Sequence, residues 1–278
     1  MINIGQYQTF TILRETDPGL FLGDGAEEEN EILLPHKYKP EAFEIGDEIE
    51  VFVYLDNEER PIATTLEPYV TLNEFAYLQC SDVNKYGAFM DWGLEKQLFV
   101  PFKEQARPMT AGSWYIVYLY LDDKTNRLVG SSKSNRFVDN TTVTVEMYEK
   151  VDVLVTHLTD KGANVIINGK HHGLIYVDDI FEDIRSGDRL KAYVKKIRED
   201  NKIDVVLQAP GYRSIEPNAN YILDELKAAG GFLPLHDKSD PDTIKNELGL
   251  SKKSFKKAIG SLYKDKQINI KSDGIELV

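Results

Sequence analysis

Alternation of apolar and polar side chains is what most constrains this chain. Ile49, Val51, Val53 and Leu55 alternate with Glu50, Phe52 and Tyr54; Tyr115, Val117, Leu119 and Leu121 alternate with Ile116, Tyr118 and Tyr120. A period of two marks half-buried β-strands. Farther on, Leu190, Ala192 and Val194 read as inward, with Lys191, Tyr193 and Lys195 outward. Turn signals cut these strands at Asp17-Pro18-Gly19, Asp56-Asn57-Glu58-Glu59, Asp122-Asp123-Lys124-Thr125-Asn126 and Glu199-Asp200-Asn201. No helical run of any length interrupts the first two hundred or so residues.

The strands recur. A shift of 75 residues lays Gly87-Ala88 on Gly162-Ala163, Gly112 on Gly187 and Tyr118 on Tyr193; a shift of 66 lays Gly46 on Gly112 and Tyr54-Leu55-Asp56 on Tyr120-Leu121-Asp122. Such self-similarity predicts three units of about 65–75 residues. About five short strands in each suit a small barrel of the OB type, with an SH3-like barrel as competitor.

The pattern changes after Ala209-Pro210-Gly211, and a linker is expected through Glu216-Pro217-Asn218. Tyr221, Ile222, Leu226 and Ala229 recur at helical spacing up to Gly230-Gly231. Ser239 is the expected cap of a second helix carrying Ile244 and Leu248 and closed by Gly249, and Ser251 of a third burying Phe255, Ala258, Ile259 and Leu262. A hairpin turning at Ser272-Asp273-Gly274 completes a winged helix-turn-helix. The expected modules are 1–66, 67–140, 141–213 and 214–278.

A net charge of −13, from 33 basic and 46 acidic residues, excludes a uniformly basic nucleic-acid binder. Residues 1–66 alone hold 15 acidic against 4 basic side chains, including Glu27, Glu28, Glu29 and Glu31, so the rest of the chain is nearly neutral. Local basic faces therefore remain open. The lone Cys80 removes zinc ribbons and Cys-x-x-Cys redox motifs. No apolar run is long enough for a membrane span and no basic-then-apolar leader opens the sequence, so a cytoplasmic address without membrane contact is expected. There is no nucleophile elbow, phosphate-binding Gly-Lys-Ser/Thr loop or His-Glu-x-x-His. His171-His172 lacks a third ligand and reads as a turn pair or as donors to RNA. No catalytic residue, metal or cofactor is expected.

Val83-Asn84-Lys85-Tyr86-Gly87-Ala88-Phe89-Met90-Asp91 resembles the second-strand region of the RNA-binding domain first named in ribosomal protein S-one. Gly173-Leu174-Ile175-Tyr176 resembles its third strand, and Gly46-Asp47-Glu48-Ile49 and Gly187-Asp188-Arg189-Leu190 its entry into strand four. Three such barrels followed by a winged helix resemble the conserved virulence factor B family of bacterial RNA-binding proteins. The resemblance implies a mainly β protein, three tandem OB-fold (S-one-type) barrels plus a C-terminal α+β winged helix-turn-helix domain. It also implies RNA binding in post-transcriptional regulation, without a reaction.

Single-stranded RNA is held by aromatic platforms beside basic groups. The second unit offers Tyr86, Phe89, Tyr118 and Tyr120, which either stack on bases or pack against a neighbouring unit. The third offers Lys161, Lys170, Tyr176, Lys191, Tyr193, Lys195 and Arg198, either a phosphate-contacting face or lysines balanced by Asp178, Asp179, Glu182 and Asp183. On the third helix of the C-terminal block, Lys252, Lys253, Lys256 and Lys257 form a cationic stripe without Arg, Asn or Gln. It is either a solvated face or a contact to nucleic-acid backbone, duplex included, rather than to base edges. The acidic first unit repels phosphate and suits a structural or protein-contacting role. The leading reading is a non-enzymatic binder of single-stranded RNA. The alternatives are a DNA-binding transcriptional regulator using the winged helix and a protein adapter using residues 1–66.

Overall fold

The computed structural model describes residues 2–24, 31–208 and 217–278. Glu27, Glu28, Glu29 and residues 209–216 of the expected linker lie outside the described residues, while its last two, Pro217 and Asn218, belong to a helix instead. The chain divides into two compact units, 1–209 and 210–278.

The first unit repeats one topology three times. β1 (Tyr7–Thr16), β2 (Gly19–Gly23), β3 (Ile32–Pro35), β4 (Glu48–Leu55) and β5 (Pro61–Thr64) close a barrel in the order β1-β2-β3-β5-β4. β11 (Lys150–Thr159), β12 (Gly162–Ile167), β13 (His171–Tyr176), β14 (Arg189–Ile197) and β15 (Ile203–Val206) close another in the same order. Between them, β6 (Phe75–Asn84), β7 (Gly87–Asp91), β8 (Leu98–Pro101), β9 (Trp114–Asp122) and β10 (Arg127–Ser131) follow the same cyclic order, with β8 and β10 packed side by side but not paired in a ladder.

Two local devices recur at matching positions and give the faint sequence repeat its physical content. The first strand of each barrel bulges, between Ile12 and Arg14, Cys80 and Asp82, and Val155 and His157. Such a bulge bends and twists a strand, as barrel closure requires. At each bulge a glycine N–H donates to the strand: Gly46 to Ile12 O, Gly112 to Cys80 O and Gly187 to Val155 O, at 2.7–2.8 Å. The second device is a glycine opening the second strand. A Cβ on Gly19, Gly87 or Gly162 would lie 2.1, 2.4 or 1.9 Å from the carbonyl oxygen of Leu34, Val100 or Ile175. Only glycine admits that approach of strands two and three.

The expected alternation holds within each barrel but does not predict which outer faces meet solvent. Phe52 and Tyr54, the polar-side partners of Val51 and Val53, are buried in the core of the middle barrel with Trp92 and Leu98. Phe75, Val138, Leu154 and Ile166 form a separate small core joining the second and third barrels.

In the second unit, α1 (Pro217–Ala228), α2 (Pro241–Leu248) and α3 (Lys252–Lys264) pack beside a sheet of β16 (Phe232–Leu233), β17 (Ile268–Ile270) and β18 (Ile275–Leu277), ordered β16-β18-β17. This is a winged helix with the short first strand that periodicity did not reveal. The buried face of α1 is Ala219, Ile222 and Leu226, whereas Tyr221 and Ala229 are exposed. Asp240, not Ser239, caps α2, accepting from Asp242 N and Thr243 N at 3.0 and 3.3 Å. Ser239 Oγ instead accepts from His236 N. Ser251 caps α3 as expected, accepting from Ser254 N.

Candidate nucleic-acid interface

On the second barrel, strand pairing places Phe89 of β7 opposite Phe99 of β8, with ring centroids 5.3 Å apart. Tyr86, 63% exposed, stands on the preceding turn, where its N–H donates to Asn84 Oδ1 and the Lys85 ammonium lies 5.0 Å from its ring centre. These rings, Trp92, Lys96 and Arg127 line a cleft of about 600 Å3 over β8 and β10. The turn between β4 and β5 of the first barrel supplies its opposite wall, including Asn57 and Glu59. Phe99 is a platform that the sequence reading omitted, although the alternation Leu98-Phe99-Val100 already turns it outward. Glu59 could not be placed from sequence, because it arrives from another barrel.

Tyr118 and Tyr120 do not share this cleft. Tyr118 stacks on Phe137 at 4.0 Å and 21°, and Phe75 leans on its other side at 4.6 Å. Burial pushes the Tyr118 phenol up, and burial together with the Glu104 carboxylate pushes Tyr120 up to about 12. Expected as outward platforms, both are half-buried against the Phe137 segment. Of the two uses foreseen for them, packing against a neighbour is the one their geometry serves.

The third-barrel residues fall into two groups. Tyr176, Lys195 and Arg198 stand together: Arg198 donates to Tyr176 Oη and, through two nitrogens, to Asp204 at 2.9 and 3.0 Å. Lys195 donates to Asp179 at 2.6 Å, and Lys161 is exposed beside them, its carbonyl accepting from Val177 N. Lys191, on the same outward row of β14, pairs instead with Asp152. Asp152 and Lys170 line a cleft of about 730 Å3 between the second and third barrels. Tyr193, half-buried, sits opposite Lys150 and Val206 in the ladder. The cations are thus mostly paired; of these pairs Lys191–Asp152 is exposed on both sides, where a pair contributes only about 0–1 kcal/mol and a phosphate can displace the carboxylate, whereas Arg198 is held by the buried Asp204.

On α3, Lys253, Lys256 and Lys257 are exposed and Lys252 half-exposed, opposite the buried Phe255, Ala258, Ile259 and Leu262. The adjacent histidines open strand β13 and so point to opposite faces. His171 is 3% exposed, its Nδ1 2.7 Å from Asp139 O and its Nε2 2.8 Å from Thr144 Oγ1, so it cannot reach RNA. Among the described residues no cluster of His, Cys, Asp or Glu is arranged to hold a metal, and no helix is long and apolar enough to cross a membrane.

The family model of the S1 domain matches residues 4–66, and that of the CvfB-like winged helix domain matches residues 220–277. The S1 match falls on the acidic first barrel, although the motif fragments are clearest in the second. An uncharacterized protein of Bacillus subtilis (strain 168), YitL, is 29% identical over 95% of this chain and 90% of its own. Conserved virulence factor B of Staphylococcus epidermidis (strain ATCC 12228 / FDA PCI 1200) is 27% identical over 84% of this chain and 81% of its own. A solved multidomain protein with nucleic acid binding domains from Streptococcus pneumoniae is 26% identical, covers 99% of this chain and 98% of its own, and superposes with a TM-score of 0.43. An S1 domain with a winged helix supports a nucleic-acid-binding role. With three repeats of one barrel topology ahead of that winged helix, the chain is similar over most of its length to the conserved virulence factor B proteins and shares their winged helix domain.

Proposed function

We propose that this protein is a non-enzymatic, cytoplasmic binder of single-stranded RNA that acts in post-transcriptional regulation. The observation that carries the reading is the cleft over β8 and β10 of the second barrel, where Tyr86 and the Phe89–Phe99 pair stand beside Arg127 and Lys96. Aromatic faces take bases of any sequence, and flanking cations take phosphates. Further contacts are candidates at Lys161, Lys170, Lys191, Lys195 and Arg198, with the rings of Tyr176 and Tyr193, on the third barrel, and, in the other unit, at Lys252, Lys253, Lys256 and Lys257 of α3. In this reading the modules are the three barrels at 1–66, 67–140 and 141–213 and the winged helix at 214–278.

Filter binding of a single-stranded RNA at several salt concentrations tests it. Micromolar or tighter affinity that falls with salt is expected. Tyr86→Ala with Phe89→Ala should weaken it about tenfold or more, since each stacked base contributes about 1–3 kcal/mol, and Lys191→Glu with Lys195→Glu should weaken it further. Wild-type affinity in both variants would refute the assignment, and tighter binding of duplex DNA of the same sequence would favour a transcriptional regulator.

A further inference from the structure

A second cleft, of about 410 Å3, opens between the second and third barrels. It lies on the β6 and β9 side of the second barrel rather than on the β7 and β8 face that holds Phe89 and Phe99. It is lined by Tyr77 and Trp114, whose ring centroids are 5.3 Å apart with planes inclined by 32°. Trp114 is 49% exposed, whereas the chain's other tryptophan, Trp92, is 3% exposed. An indole left half in water at the start of a strand gains nothing for the core and offers a free π-face.

The platform is fixed in place. Tyr77 and Trp114 are diagonal neighbours across the β6–β9 ladder, where Tyr77 faces Ile116 and Gln79 faces Trp114. Gly187 of the third barrel approaches Tyr77 so closely that a Cβ would lie 2.2 Å from its ring. Its φ of +98° also favours glycine, so the contact between the barrels depends on that residue. Arg107 stands with its guanidinium 5.8 Å from the Tyr115 ring centre and has no ion pair among the described residues. From the third barrel, the β11 bulge presents Thr156 and His157 to the same space.

Charge separates this cleft from its neighbours. In a chain with 46 carboxylate side chains, none lines it among the described residues. The cleft at β8 and β10 has Glu59 and Glu95, and the other cleft between the second and third barrels has Glu74 and Asp152. An arginine, an imidazole, hydroxyls and exposed aromatics without an opposing carboxylate suit a ligand that is both flat and anionic.

We propose that this cleft is a second binding site for single-stranded RNA, with one base stacked on Trp114 and an adjacent phosphate on Arg107. The site deepens the RNA-binding reading and rests on it. A strand enters a crevice between two barrels where a duplex does not fit, and stacking plus one cation binds without regard to sequence. Thr156 and His157 then face the sugar or the base edge.

The test uses the full-length protein and an oligouridylate of about 12 nucleotides, long enough to span more than one such site. In a Trp92→Phe background Trp114 is the sole indole, and its emission should be quenched along the same isotherm that filter retention gives. Independently of that background, Trp114→Leu and Arg107→Gln in the otherwise native chain should each lower affinity about fivefold or more with unchanged thermal melting, because both positions are exposed. Wild-type affinity in both variants, with RNA still bound, overturns the second site and leaves the RNA-binding reading standing. No retention by any form, wild type included, overturns both. Loss in the Trp114 variant but not in Tyr86→Ala with Phe89→Ala supports the site and moves RNA binding away from the β7 and β8 face.

Discussion

Glu59 of the first barrel places one carboxylate oxygen 3.0 Å from Arg127 Nε of the second and the other 3.4 Å from Lys96 Nζ. The acidic module therefore does more than add negative charge at a distance, because it pairs with two cations of the aromatic cleft. Glu59 sits at φ +63°, on the turn that Asp56 organises by accepting from the N–H groups of Glu58 and Arg60. Glu59→Gln keeps the size of the side chain and removes the charge opposite both cations, leaving Lys96 Nζ its 2.7 Å bond to Asp56 O. Affinity for single-stranded RNA should rise about two- to fivefold at low salt, in line with the ~0–1 kcal/mol of an exposed pair. The gain should vanish at high salt, where such charges are screened. Parallel titrations at low and high ionic strength measure it; an equal gain at both would mean that the carboxylate acts sterically.

The glycines that open the second strands predict a graded stability series. A Cβ on Gly162 would overlap Ile175 O at 1.9 Å, against backbone that cannot swing aside, whereas a Cβ on Gly46 would meet nothing within 4 Å. Gly162→Ala should cost about 3 kcal/mol or more, at the severe end for single substitutions. Gly46→Ala, at φ +100°, bears only the backbone cost of about 1–2 kcal/mol. Thermal melting of the two variants orders them. Equal losses would mean that the strands separate to admit the methyl group.

Those glycines were legible in the sequence because each unit solves the same local problem at the same place, whereas the strand bulges were not read from it. What was not legible is where one barrel leans on another. Phe52 and Tyr54 alternate as a solvent face should, yet they are buried because the middle barrel covers them. Tyr118 alternates outward and then meets Phe137, which lies beyond the strands. Period two reports which side of its own sheet a residue occupies and contains nothing about the next sheet. The α2 cap failed more locally: Ser239 and Asp240 both suit the position, and Pro241, fixed at the first helical turn, puts the cap on Asp240.

Glu104 supplies a pH prediction. The side chain is nearly buried, and burial alone would raise its pKa. Ser131 and Arg136 beside it outweigh that effect and hold the carboxyl below its ordinary value. A carboxyl depressed in the folded state binds protons more readily when unfolded, so its stabilisation is full above the ordinary glutamate range and lost as pH falls through the folded value. Wild-type protein should therefore lose stability on acidification below about pH 4.5, and Glu104→Gln should be less stable near neutrality with a shallower acid dependence. Denaturant melts between about pH 3 and 7 compare the slopes; parallel curves would place the acid sensitivity in other carboxyls.

The lysines of α3 give the last prediction, which turns on what they lack. Lys253 and Lys256 project from the side opposite Phe255 and Ile259, and no bidentate donor to a base edge lies on the stripe with them. A helix of this kind neutralises phosphates, and each one removed should lower the slope of log affinity against log salt by about 0.7–0.9. Lys253→Gln with Lys256→Gln should therefore lower the slope by about 1.5 and weaken binding of unrelated RNA sequences to the same extent. Melting should not change, because both side chains are exposed and the buried face of α3 is untouched. Titrations of two RNAs of different sequence at four salt concentrations decide the matter. A loss confined to one sequence would show that the helix reads bases, and an unchanged slope would show that the stripe is only solvated.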